Sequence, residues 1–209
     1  TLPLKYLRDN LHVMLGYKHT SFNDNVSAER NYSFSALEDA YRGFKELIDR
    51  PETKEEQLQK YIEEHQIILS IFNPKLLKFK APATTKHVTD FSLLNHRNEL
   101  VLIEIERANL NLFKKDGGQH SELTQSINQV ENWLLEASKD RYGFINNLNM
   151  RGISSDSITS IKGVVIAGRT RNEETQHLEK LYSRREYQFY TYDDILKHLR
   201  HTIDQIKEL

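Results

Sequence analysis

The chain is predicted to be an α/β protein with a mixed central sheet flanked by helices, and three patterns carry that expectation. The first lies in KHVTDFSLLNHRNELVLIEIER, residues 86–107, where two runs of branched and large apolar residues, 88–94 and 100–105, flank Asn95-His96-Arg97-Asn98. Such runs around a polar turn read as a strand hairpin. The second is IKGVVIAG, residues 161–168, a short apolar run bounded by glycine that reads as a buried strand. The third is helical spacing of apolar residues before, between and after these strands. An antiparallel hairpin followed by later crossovers excludes a purely parallel sheet.

Taken in order, residues 1–30 mix an apolar segment (11–15) with a polar run (21–27) and give no regular pattern. Ser35 and Glu38 have capping-box spacing, and Leu37, Tyr41, Phe44 and Ile48 make a helical stripe that stops at Pro51. A second helix is expected from Thr53, whose side chain is placed to cap the turn at Glu55 and Glu56. Its stripe is Leu58, Ile62, His65, Leu69 and Phe72, ending before Asn73-Pro74. Residues 75–80 read as a short or edge strand closed by Pro82. After the hairpin, residues 114–118 form a basic, glycine-containing loop.

From Ser121 the period becomes helical again, with Leu123, Ile127, Val130, Leu134 and Ala137 on the apolar face. Glu122, Gln125, Gln129 and Trp133 lie beside or away from it, with Gln125 and Gln129 one turn apart. Residues 146–157 read as a loop, 173–182 as a helix and 187–190 as a strand. Thr191 is placed to cap a last helix with the stripe Ile195, Leu199, Ile203 and Ile206.

Composition bounds the chemistry. A chain of 209 residues with 38% hydrophobic content supports one compact core with some additional structure. It has no cysteine, which excludes disulfides, thiolate metal sites and a cysteine nucleophile, and leaves the acids and nine histidines for any metal or acid–base work. That suits a cytoplasmic protein. No apolar span approaches membrane length, so no membrane partner is expected. The chain starts at Thr1 and is read as a piece of a longer protein, with an N-terminal regulatory region outside it. A formal net charge of −1 gives no general attraction to nucleic acid, so DNA contact would require a local basic patch.

The hairpin carries charges where a core strand should not. Side chains alternate faces along a strand, so Val101, Ile103 and Ile105 point one way while Leu102, Glu104 and Glu106 point the other. Asp90, on the partner strand, brings a third carboxylate close if the register puts it on that face. Three converging acids repel one another unless a cation joins them.

Asp90, then Glu104-Ile105-Glu106, then a helix bearing Gln125 and Gln129 resembles the core of the PD-(D/E)xK nuclease superfamily. EEQLQKYIEEHQIIL, VTDFSLL, LVLIEIERANLNLF, SINQVENW, GVVIAGR and TYDDIL, in that order, are similar to the nuclease domain of the Shedu antiphage family. The resemblance spans residues 55–209. It implies a restriction-endonuclease-like core, with residues 53–209 as the nuclease-like domain and 1–52 as a helical and irregular appendage. It further implies Mg²⁺ or Mn²⁺ as cofactor, double-stranded DNA as substrate, a homo-oligomer, and bacterial defence against phage as the setting.

On this reading Asp90, Glu104 and the backbone carbonyl of Ile105 supply metal ligands, with Glu56 on the preceding helix as a further one. Glu106 orients or deprotonates the attacking water, and Gln129, with Gln125 beside it, positions phosphate or water. The family pattern has lysine where this chain has Glu106, although some restriction endonucleases carry glutamate there and still cut. Arg107 is expected on the opposite face and does not simply replace that lysine. Lys114, Lys115 and Arg107 are the candidate DNA contacts, with Arg169, Arg171, Arg184 and Arg185 as a possible phosphate-binding rim.

Each assignment has a plainer competitor. Glu104 and Glu106 without Asp90 and their apolar flanks would read as solvated acids, and the two glutamines as the polar side of an amphipathic helix. His65 reads as a core histidine, His87, His96 and His120 as surface or turn residues, and Trp133 as a packing residue. Three function classes follow: a metal-dependent DNA endonuclease marked by Asp90, Glu104 and Glu106; a non-cutting DNA-binding module, hinted at by Glu106; and an oligomerisation domain serving a missing N-terminal part, in keeping with the near-neutral charge.

Overall fold

A computed structural model describes residues 34–83, 88–150 and 153–207. The expectations for residues 1–30 and for His87 lie outside the described residues. The helices are α1 (Phe34–Asp49), α2 (Glu55–Glu64), α3 (Ser121–Lys139), α4 (Arg141–Asn147), α5 (Thr175–Tyr182) and α6 (Tyr192–Lys207). The strands are β1 (Pro74–Phe79), β2 (Phe91–Asn95), β3 (Glu99–Ile105), β4 (Ser160–Ile166) and β5 (Gln188–Tyr190), lying side by side in sequence order. β1, β2 and β3 pair antiparallel, while β3, β4 and β5 run parallel. This is an α/β architecture with a mixed sheet between helical layers.

The alternation along the strands builds two cores. Val101, Ile103 and Ile105 of β3 pack with Phe91, Leu93, Val164 and Ile166 against α1, α2 and α6. Leu100 and Leu102 join Leu94, Val165 and Phe189 against α3, α4 and α5. The hairpin turn is closed by Asn95, whose Oδ1 accepts from the N–H groups of Arg97 and Glu99 (both 2.9 Å), while Asn98 takes the left-handed conformation that turn asparagines tolerate. At the start of α6, the Asp194 carboxylate accepts from the Thr191 N–H (2.8 Å) and hydroxyl (2.9 Å), and Thr191 Oγ1 accepts from the Asp194 N–H (3.3 Å). Glu38 of α1 takes Arg200 (3.0 Å) and Lys207 (2.6 Å) of α6, tying the first described helix to the last. Among the described residues no helix is long and apolar enough to cross a membrane.

Several local expectations are corrected. α1 begins at Phe34, so Ser35 lies inside it. Thr53 does not cap α2: its hydroxyl donates to the Leu47 carbonyl (2.7 Å) in α1, and the Lys54 N–H at the α2 start donates to Gln57 Oε1 (2.9 Å). α2 does not run to Phe72. It breaks at His65, and Gln66–Phe72 continues as a 3₁₀ helix. The run Ile67-Ile68-Leu69 is buried all round, so burial rather than a single amphipathic face holds this segment. His65 is half-buried and lies against the Tyr61 ring, 4.3 Å between centroids, not in the core.

Trp133, expected beside the α3 stripe, is fully buried on it. The stretch read as loop from 146 begins inside α4, where Asp140 Oδ1 accepts from the Gly143 N–H (2.8 Å) and caps the helix. Residues 114–118 form a closed turn, with Lys114 N–H donating to the Gly118 carbonyl (2.7 Å) and Phe113 bridging Gln119.

Candidate active site

β3 runs parallel to β4, and its carboxyl end is where the chain leaves the sheet and the acids collect. Ligand sites in open α/β sheets form at such ends, because the departing chain leaves room there. Phe91 pairs with Ile103, so antiparallel register puts Asp90 opposite Glu104 and on its face. The Ile105 N–H donates to Asp90 Oδ2 (2.9 Å), which fixes a buried carboxylate against the next strand. Lys80, just beyond β1, donates from Nζ to Asp90 Oδ1 (3.2 Å).

α3 packs over this face and supports both glutamates. Gln129 Nε2 donates to Glu104 Oε1 (2.8 Å), and Ser126 Oγ donates to Glu106 Oε1 (2.7 Å). Glu104 Oε2 is buried without a hydrogen-bond partner. Tyr192, fully buried at the start of α6, donates its hydroxyl to the Glu106 carbonyl (2.7 Å) and pins the end of the strand.

The electrostatics are those of crowded acids. Burial, then the charges of Asp90, Glu55 and Glu106, push the Glu104 carboxyl up to about 9. Glu55 is pushed up to about 7, first by burial and then by Asp90, Glu106 and Glu56. Glu106 is also raised, mainly by burial, with the Ser126 hydrogen bond acting against it.

The structure thus brings together Asp90, Glu104, Glu106 and Gln129. Glu56 is exposed, and its neighbour Glu55 faces the cluster instead. Gln125 is exposed. Arg107 lies two residues beyond the end of β3, so strand alternation no longer governs it. Its guanidinium reaches Glu122 of α3 (2.6 Å), on the same helix as the Glu106 partner Ser126 rather than across the sheet. Lys114 and Lys115 are exposed on their turn. Arg169 is tied to Asp193 (2.7 Å) and Asp49 (2.8 Å), which makes it a structural pin; Arg184 and Arg185 are exposed.

Glu55 and Lys80 are the members that sequence reasoning missed. Glu55 carried a signal, since it precedes Leu58 and Ile62 by three and seven positions and so continues the buried stripe, whereas Glu56 is rotated off it.

The donor set is all oxygen, as a hard divalent ion such as Mg²⁺ or Mn²⁺ prefers, and the unpaired Glu104 oxygen is the orphan such an ion would satisfy. Among the described residues, no three histidine or acid side chains already converge as an ion cage. Occupancy therefore requires the carboxylates to turn toward a shared point. A separate cavity of about 290 Å³, lined by residues that include Asn95, Arg97, Glu99 and Lys162, lies at the opposite end of β3. There Glu99 is already paired with Lys162 (2.6 Å) and Asn95 (2.7 Å).

Residues 52–196 match a family model described as Shedu protein SduA, C-terminal. No curated protein matches the chain.

Proposed function

The chain belongs to the family of Shedu protein SduA C-terminal domains, a family of antiphage defence, and from that premise we propose that it is a divalent-metal-dependent endonuclease acting on double-stranded DNA. The observation that carries the reading is the gathering of Asp90, Glu55, Glu104 and Glu106 at the carboxyl end of β3, with one Glu104 oxygen buried and unpaired. Buried carboxylates that raise one another are costly to fold around, and such sets are characteristic of sites that bind cations or move protons.

Asp90, Glu104 and the Ile105 carbonyl would hold the ion, with Glu55 in the role expected of Glu56. When bound, the ion supplies positive charge to the phosphodiester and makes a neighbouring water easier to deprotonate. The chain's own residues do the rest. The Ile105 N–H holds one oxygen of Asp90, and Gln129 holds one oxygen of Glu104, so each carboxylate is anchored at one end while the other turns toward the ion. Glu106, steadied by Ser126 and made a stronger base by burial, takes a proton from the attacking water. The water oxygen bonds to phosphorus, one ester P–O bond breaks, and the leaving oxygen is protonated from solvent.

A plasmid-nicking assay tests this. Nicking is expected in Mg²⁺ or Mn²⁺, none in EDTA, and a loss of at least about 10²-fold in Glu104→Ala. A second reading, a non-cutting DNA-binding or oligomerisation domain, is favoured by the open arrangement of the acids and by Glu106 in place of lysine. Equal nicking by wild type and Glu104→Ala would mark the activity as a contaminant and leave that second reading.

A further inference from the structure

The acids at the end of β3 create a difficulty for the substrate they are meant to meet. A phosphodiester is an anion, and it approaches Asp90, Glu55, Glu104 and Glu106 against their combined field. Cations that oppose this field have to stand at the mouth of the site, reach solvent, and keep donors in reserve.

Lys80 meets each condition. It follows β1 directly, and its N–H donates to the Asp90 carbonyl (3.1 Å), while Thr89 N–H returns a bond to the Ala81 carbonyl (2.8 Å). The backbone of residue 80 is therefore clamped to residue 90. Lys80 holds this place with φ at 48°, a left-handed conformation that a lysine rarely adopts. Its ammonium reaches Asp90 Oδ1 at 3.2 Å, yet the side chain is 56% exposed while that of Asp90 is 8% exposed. An ammonium has three donors, and among the described residues Asp90 is its hydrogen-bond partner, so the remaining N–H groups face solvent. Lys80 also acts through space on Glu55, Glu63 and Glu104, holding each below where it would otherwise titrate.

Among the described residues, two other cations near the site are committed. Arg107 is held by Glu122 (2.6 Å), and Lys78 donates to the carbonyls of Leu148 (2.8 Å) and Asn149 (2.9 Å). On α2, Gln59 lies one helical turn from both Glu55 and Glu63, is only 4% exposed, and its side chain interacts with the Glu63 carboxylate.

We propose that Lys80 is the residue that contacts the substrate phosphate at this site, and that its ion pair with Asp90 keeps it positioned there in the resting protein. This rests on the endonuclease reading above. Lys80 transfers no proton; it supplies one fixed positive charge to the phosphoryl oxygens, which become more negative as water bonds to phosphorus.

The test uses Lys80→Met and Lys80→Arg in the full chain, with melting temperature as a check on folding. Binding of a labelled DNA duplex in Ca²⁺ is measured over a salt series, and plasmid nicking is measured in Mg²⁺. Loss of one phosphate contact reduces the slope of log affinity against log salt by about 1, a change that a merely structural residue does not produce. Lys80→Met is expected to show that reduced slope, a nicking rate lower by about 10²-fold or more, and a near wild-type melting temperature. Lys80→Arg is expected to restore the slope and part of the rate.

A wild-type slope and rate in Lys80→Met would overturn the proposal, while wild-type nicking would leave the endonuclease reading standing. If the wild type binds but does not nick, and Lys80→Met still loses slope, the phosphate contact holds and the endonuclease reading fails. A wild type that neither binds nor nicks overturns both.

Discussion

Glu104 is the residue at which function and stability pull apart. Its carboxyl is held at about 9 in the folded chain against an ordinary value of 4.5, chiefly by burial and then by Asp90, Glu55 and Glu106. The folded state therefore binds the proton more tightly than the unfolded one, and in metal-free buffer stability falls as pH rises from 4.5 toward 9. Glutamine keeps the shape and can still accept from Gln129, but cannot ionise. Glu104→Gln should thus match the wild type near pH 4.5 and exceed it by an amount on the order of 2 kcal/mol near pH 8, read from urea unfolding without metal. A variant no more stable at pH 8 than at pH 4.5 would mean that the carboxyl is not held under this strain. The sequence made this residue legible because a charge on an apolar strand violates its pattern. Lys80 left no such trace, since a lysine near an edge strand is ordinary and its pairing depends on how residues 80 and 90 are clamped across the sheet.

At the scale of elements, the site depends on how closely α3 lies on the sheet. Gly163 of β4 permits that approach: a Cβ there would come within 2.2 Å of Val130 Cγ1 and 3.0 Å of Leu134 Cδ1. Gly163→Val should lift α3 away, cost about 1–3 kcal/mol by overpacking, and displace Ser126 and Gln129 from the two glutamates. Nicking measured at a temperature where the variant remains folded should fall further than its stability does. Full nicking in a folded variant would show that the α3 contacts to Glu104 and Glu106 are dispensable. The hairpin and α3 could be read because their apolar residues recur with periods of two and 3.6. The 3₁₀ segment Gln66–Phe72 could not, because an unbroken apolar run has no phase and its conformation is set by what surrounds it. α4 escaped for a related reason, as seven residues with two buried apolar side chains are too short to show a stripe, and its cap, Asp140, also ends α3.

For the whole molecule, the order of elements was legible while the assembly of the site was only partly so. Asp90, Glu104 and Gln129 come from different elements, and their meeting follows from strand register and from α3 crossing the sheet between β3 and β4. Glu55 arrives from the opposite helical layer around the end of the sheet, which no local pattern announces. The central claim is that these acids form one binding place for a divalent ion. Calorimetric titration of Mn²⁺ into the wild-type chain and into Asp90→Asn tests it most directly, since it needs neither DNA nor turnover. One saturable binding event in the wild type, abolished or weakened at least about tenfold in Asp90→Asn, is the expected result. Absence of a saturable heat in the wild type, or an unchanged isotherm in Asp90→Asn, would contradict it.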